Sequence, residues 1–279
     1  MKLVTFELGD YGQRPGLVKD GGIVDLSAEG FRDSIAFMSA PASVQADVAK
    51  LKPGVAMENV KLLAPVQAPP RIFGIGVNYA EHAAESGTET QKVPTVFIVL
   101  SSSVVGPGDE VTLPKASNMV DYEAELAVVI GKPGYQISAD KAMDHVFGYT
   151  IMNDVSARDV QRATTQWSLG KSFPTFAPMG PWIVTKDEVP DPHVLDISLT
   201  IGGEKLQSSN THLLIFKIPA LIEYISGITP LQVGDVISTG TPAGVGMGRT
   251  PQRWLKPGEE MVIAIQGIGE LRNKLVAEK

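Results

Sequence analysis

Short stretches in which apolar and polar positions alternate, broken by Gly/Pro turns, dominate this chain, and they predict strands. Residues 3–8 alternate in this way, and 16–18 and 22–26 read as two further strands around the turn at Asp20-Gly21-Gly22. A helical stretch is predicted over 34–51 and a short helix over 78–85, after a strand at 71–76. The longest strand candidate is 121–130, followed by 146–154, and a helix over 157–163. Ser156 and Asp159 stand at capping-box spacing and predict where that helix begins. Residues 195–201, 236–239, 261–265 and 271–276 complete the strands, with an amphipathic helix over 215–225. Strands outnumber helices and do not alternate with them regularly, so the pattern predicts a mixed, β-rich α+β fold rather than a doubly wound sheet.

The segment 63–70 carries three prolines and is polyproline-like, as a domain connector tends to be. It divides the chain into a small N-terminal α+β domain, 1–66, and a larger domain, 67–279.

Composition narrows the chemistry. The chain has 279 residues, 28 Gly, 20 Pro and a net charge of −7. An acidic surface disfavours nucleic acid and anionic membranes as partners. With no Cys, disulfides, thiolate metal sites and a cysteine nucleophile are excluded, and the four His show no metal-ligand spacing. No secretory leader and no apolar run of membrane-spanning length is visible, so a cytoplasmic location is expected.

Within the longest strand, Glu123 and Glu125 stand at i and i+2 and share a face. Two like charges on a core strand repel and resist desolvation, and a divalent cation between them removes both penalties. An exposed strand face with basic partners opposite would read the same way. Asp154 ends the next strand just before a helix, where a site carboxylate or an ordinary turn residue would stand. Oxygen ligands without His or Cys suit Mg²⁺, Mn²⁺ or Ca²⁺. His82 and Glu85 at i, i+3 share a helical face, as a general base with its orienting carboxylate or as a surface ion pair. The glycine-rich run 239–248 could bring backbone amides near an anionic substrate, and it lacks a P-loop ending.

From Arg71 onward these blocks together resemble the fumarylacetoacetate hydrolase family: Gly76-Val-Asn-Tyr-Ala-Glu-His82, Asp121-Tyr-Glu-Ala-Glu-Leu126, Gly148-Tyr-Thr-Ile-Met-Asn-Asp154, Lys171-Ser-Phe173 and the run 239–246. The resemblance implies a β-sandwich roll with short helices behind a small N-terminal domain, and a homodimer. It also implies Mg²⁺ or Mn²⁺ on Glu123, Glu125 and Asp154, and a water-activating His82–Glu85 dyad on a lid. Lys171 would face the substrate, Thr241 would bind its carboxylate, and Gln207 would line the pocket.

The reaction so implied is metal-dependent hydrolysis of a C–C bond in a 2,4-dioxo acid of the acylpyruvate type. Isomerisation or decarboxylation of a 2-oxo dicarboxylate, and a ureidoglycolate-type lyase, are the alternatives within the family. A metal-containing small-molecule binder is the non-enzymatic one, and the His82–Glu85 pair argues against it. Val77, Val99 and Leu206 stand where relatives often carry cations, which predicts a substrate whose distal end is less anionic. Pro174 stands where Asp is frequent, which bears on how Lys171 is held.

Overall fold

The computed structural model describes residues 1–85, 87 and 91–279. The chain begins as a meander of β1 (Lys2–Glu7), β2 (Gln13–Lys19) and β3 (Gly22–Asp25). Two short helices follow, α1 (Ser34–Met38) and α2 (Ala42–Val48), then β4 (Val55–Ala56) and β5 (Lys61–Leu63), which pairs with β1. The stretch predicted as one helix is therefore two. Asp33 caps α1 by accepting from the Ala36 amide at 2.7 Å, and Pro41, which has no N–H to donate, stands at the start of α2.

Next come β6 (Ile72–Gly76), α3 (Ala80–Glu85), β7 (Thr95–Val99), β8 (Val104–Val105) and β9 (Glu110–Leu113). The predicted long strand is split into β10 (Val120–Asp121) and β11 (Ala124–Ile130). After it run β12 (Val146–Asn153), β13 (Ser156–Ala157), α4 (Arg158–Arg162), β14 (Ala177–Thr185), β15 (Asp196–Ile201) and β16 (Glu204–Asn210). The chain closes with α5 (Ile218–Ser226), β17 (Val236–Ser238), β18 (Glu260–Ile265) and β19 (Gly269–Ala277).

Among the described residues, one large sheet runs β4-β3-β2-β1-β14-β12-β11-β17-β6-β7, and a second runs β16-β15-β18-β19-β9. The β-rich sandwich architecture expected from sequence is present. The N-terminal strands are hydrogen-bonded into the large sheet, because β1 pairs antiparallel with β14 (Lys2↔Val184, Leu3↔Ile183). β11 lies between two apolar layers. Its Leu126, Val128 and Ile130 pack with Leu199, Ile263 and Leu271 of the second sheet and with Leu221 and Ile222 of α5, while Ala127 and Val129 pack with Leu3, Met179 and Ile183. Each such buried Leu, Ile, Val or Met side chain contributes roughly 1.5–3 kcal/mol. An ionised carboxylate at the same depth costs several kcal/mol unless it is compensated.

The expected capping box does not form. Ser156 is drawn into a β-bridge with Asp121 and donates its hydroxyl to the Asp154 carbonyl at 2.9 Å, and α4 starts without a side-chain cap. Asp159 instead accepts from Ser117 Oγ at 2.6 Å and the Asn118 amide at 3.2 Å.

Candidate metal centre and active site

The antiparallel register of β11 on β12 builds the carboxylate cluster. Glu125 lies opposite Met152. Two residues back along one strand and two residues on along the other, Glu123 meets Asp154, and the Asp154 amide donates to the Glu123 carbonyl at 3.0 Å. All three side chains are buried, and each offers an oxygen lying within 4.8 Å of the others. The strand pair thus delivers three acids to one point, although regular strand structure is interrupted at Tyr122 and Glu123, between β10 and β11.

Two buried cations face them. Lys171 Nζ donates to Glu123 Oε2 at 2.6 Å and to Asp154 Oδ2 at 2.8 Å, and lies 5.3 Å from the Phe97 ring centre. Arg158 donates through Nη2 to Glu123 Oε1 at 2.6 Å, through Nε to Asp121 Oδ2 at 2.9 Å, and through Nη1 to Gln161 at 3.0 Å. Pro174 takes no part in these contacts of Lys171. Asp121, fully buried, also accepts from the amides of Gly246 and Met247 at 2.7 and 3.0 Å.

The charges are unevenly shared. Burial raises the Glu123 pKa, but Arg158 and Lys171 outweigh it and hold that carboxyl at about 2. Burial, with Glu123 adding to it, pushes Asp154 up to about 6 despite Lys171. Burial, then the charges of Asp154 and Glu123, push Glu125 well above the usual carboxylate range. Lys171 is held above its ordinary value: burial opposes the charge, and Asp154 and Glu123 more than restore it. Asp121, Glu123, Glu125 and Asp154 thus face only Arg158 and Lys171 as buried cationic partners among the described residues. Asp154 Oδ1 is buried with no hydrogen-bond partner. A divalent cation fits this arrangement. It would cancel the two-charge deficit that the four acids carry when all are ionised and give Asp154 Oδ1 a partner, and an all-oxygen donor set suits Mg²⁺ or Mn²⁺.

A cavity of about 590 Å³, part of it open to solvent, reaches this cluster; Glu123, Glu125, Lys171, His82 and Thr241 are on its walls. His82 stands on α3 with Nδ1 3.5 Å from Glu85 Oε2, and Glu85 accepts from the Gly244 amide at 3.0 and 3.1 Å. A Cβ on Gly248 would lie 2.1 Å from Glu85, so a glycine is needed for this approach. Thr241 Oγ1 donates to the Ala124 carbonyl at 3.0 Å and accepts from Gln207 Nε2 at 2.8 Å. Gln207 stands behind Thr241, bonded also to the Ala124 amide and the Pro242 carbonyl, and is not among the cavity-lining residues. The amides of the glycine-rich loop serve protein carboxylates: Gly240 bonds Glu125, Gly244 bonds Glu85, and Gly246 bonds Asp121.

Several wall residues are assigned no role by the sequence reading. Arg158, Gln161 and Arg162 of α4 face the cavity together, and Trp167 packs edge-on against Phe97 with ring centres 5.6 Å apart. The i, i+3, i+4 spacing of the α4 residues shows a shared face but nothing about what that face meets. Val77 lines the cavity at φ +55°, a conformation that costs a β-branched residue about 1–2 kcal/mol. Val99 and Leu206 are buried in the two hydrophobic layers, away from the cavity walls. Their apolar character therefore carries no information about the ligand, which removes most of the basis for expecting a less anionic substrate.

Residues 71–276 match the family described as fumarylacetoacetate (FAA) hydrolase, C-terminal. Similar proteins include the bovine (Bos taurus) oxaloacetate tautomerase FAHD2A, mitochondrial, 43% identical over 99% of this chain and 92% of that protein. Among solved structures, 5-carboxymethyl-2-hydroxymuconate delta-isomerase from Mycobacterium smegmatis is 33% identical with a TM-score of 0.80, each chain covered in full. Maleylpyruvate hydrolase from Sphingobium sp. SYK-6, solved with manganese(II) and pyruvate, is 31% identical with a TM-score of 0.83, again over the whole of both chains. No helix among the described residues is long and apolar enough to cross a membrane. Sequence identity and fold agree along the full length, and the chain belongs to the fumarylacetoacetate hydrolase family.

Proposed function

We propose that this chain is a divalent-metal-dependent enzyme that moves a proton at the carbon beside the keto group of a 2-oxo acid, with oxaloacetate tautomerisation as its reaction. The observation that carries this reading is the convergence of Glu123, Glu125 and Asp154 on one point, with Glu123 and Glu125 lining a cavity that also presents His82 and Lys171. The 43% identical bovine tautomerase supports the choice of substrate. Glu123, Glu125 and Asp154 would hold Mg²⁺ or Mn²⁺, which when bound supplies Lewis-acid stabilisation for negative charge developing on a keto oxygen.

The protein's own groups do the rest. His82, held on α3 beside Glu85, takes the proton from the carbon between the two carbonyl groups or returns it there. Lys171 stays protonated between Glu123 and Asp154 and sets a fixed positive charge on the cavity wall. Phe97 and Trp167 form an aromatic part of the cavity wall.

A second reading is hydrolysis of an acylpyruvate, in which His82 instead takes a proton from the water that attacks the distal carbonyl. The His82–Glu85 pair suits it, and so does the Sphingobium hydrolase with manganese and pyruvate. Both reactions place negative charge on the same oxygen, so fold and ligand set do not choose between them. A panel of oxaloacetate and acylpyruvates, assayed with Mg²⁺ and Mn²⁺, separates them. Faster enol–keto conversion of oxaloacetate without pyruvate release from acylpyruvates is expected, and the opposite pattern selects the hydrolase. Saturable binding with no turnover of either would make the chain a binder.

A further inference from the structure

The cavity wall carries three cationic side chains, and two of them are already committed. Lys171 is bound to Glu123 and Asp154, and Arg158 to Asp121, Glu123 and Gln161. Arg162 differs. It is the last residue of α4, it is exposed, it lines the same cavity, and it makes no ion pair among the described residues. Arg158 and Arg162 stand at i, i+4 on α4, so the geometry that fixes Arg158 at the buried floor also brings Arg162 to the rim.

We infer that Arg162 receives the distal carboxylate of the substrate and makes this site selective for 2-oxo dicarboxylates over 2-oxo monocarboxylates. This rests on the reading of the cavity as a 2-oxo acid site. An uncommitted guanidinium presents a fork of N–H donors matched to a carboxylate, and among the described residues Arg162 is the wall cation without a protein anion to neutralise it. The floor of the cavity holds the buried carboxylates and Lys171, so a substrate with its 2-oxo acid end there directs its other end toward the rim. Gln161, adjacent on α4 and lining the same wall, keeps its amide oxygen on Arg158 and leaves its amide N–H₂ as an additional donor.

The test compares Arg162→Gln and Arg162→Lys with the parent protein, all loaded with Mg²⁺. Calorimetric Kd values are measured for pyruvate and oxaloacetate, which differ by one carboxylate, and KM and kcat for oxaloacetate. Arg162→Gln is expected to weaken oxaloacetate binding by roughly ten- to a hundredfold, the worth of one charge-assisted hydrogen bond. Pyruvate binding and kcat are expected to stay within about twofold of the parent, and Arg162→Lys to recover part of the loss. Equal losses for pyruvate and oxaloacetate, or none for either, would overturn the assignment. Selective loss of oxaloacetate binding in a protein without turnover would keep the assignment and reject the proposed activity. Normal turnover with an unchanged oxaloacetate KM in Arg162→Gln would do the reverse.

Discussion

Replacing Lys171 by Met keeps the length of the side chain and removes a buried cation that lies 2.6 Å from Glu123 and 2.8 Å from Asp154. Glu123 retains Arg158 at 2.6 Å. Asp154 loses the one cation it touches among the described residues and is left beside two other acids. Breaking a buried ion pair from one side costs about 3–5 kcal/mol, because the remaining charge stays desolvated and unpaired. For a chain of this size that corresponds to a fall in Tm on the order of 10 °C. The assay is thermal unfolding of Lys171→Met and the parent protein, each in EDTA and in saturating Mg²⁺. The full loss is expected in EDTA, and less than half of it with Mg²⁺, because a cation on the same carboxylates offsets the missing charge. An unchanged Tm in EDTA would show that Lys171 does not compensate these carboxylates. An equal loss in both buffers would show that Mg²⁺ does not bind them.

Two further outcomes follow from the same cluster. His82→Ala is expected to lower kcat by about a hundredfold or more while Mn²⁺ binding, followed by calorimetry, is unchanged; normal turnover would remove His82 from its proposed role. The pH dependence of the metal-free protein has a definite sign. Asp154 is raised from 3.8 to about 6 by burial, and Glu125 is raised as well, so their contribution to stability is full below their unfolded values and is lost as pH rises through the folded ones. In EDTA, Tm is expected to fall between about pH 4 and about pH 6, the interval between the ordinary and the raised Asp154 values, whereas Mg²⁺ affinity rises over the same interval as the carboxylates lose their protons. A Tm in EDTA that climbs with pH over that interval would contradict the assigned shifts.

The carboxylate cluster is legible in the sequence because its residues break a local rule. In the sequence Glu123 and Glu125 interrupt a predicted apolar strand and Asp154 closes the next predicted one, whereas in the fold Glu123 just precedes β11 and Asp154 just follows β12. What brings Glu123 and Asp154 together is the register of β11 on β12, which two separate strand patterns do not specify. β14 escapes the sequence pattern for a physical reason. Pro178 and Pro181 argue against a central strand, yet they are accommodated where β14 pairs with the short β8 and where its register on β12 shifts. The capping box at Ser156 is a correct motif in the wrong context, since the β-bridge to Asp121 claims that residue first. Family resemblance places Val99 and Leu206 at the pocket, and only the packing shows them in the core. Arg162 has no signal of its own, because its importance lies in the commitments of Arg158 and Lys171, which are properties of the folded site.

The most direct test is the metal content and oxaloacetate enol–keto conversion of the parent protein and Glu123→Ala after Mn²⁺ loading and removal of free metal. The parent is expected to retain about one Mn²⁺ per chain, to lose activity in EDTA and to regain it with added Mn²⁺. Glu123→Ala, which removes a proposed ligand and the shared partner of Arg158 and Lys171, is expected to retain neither metal nor activity. Full activity in a metal-free parent protein, or tight Mn²⁺ retention by Glu123→Ala, would contradict a metal-dependent site built on Glu123, Glu125 and Asp154.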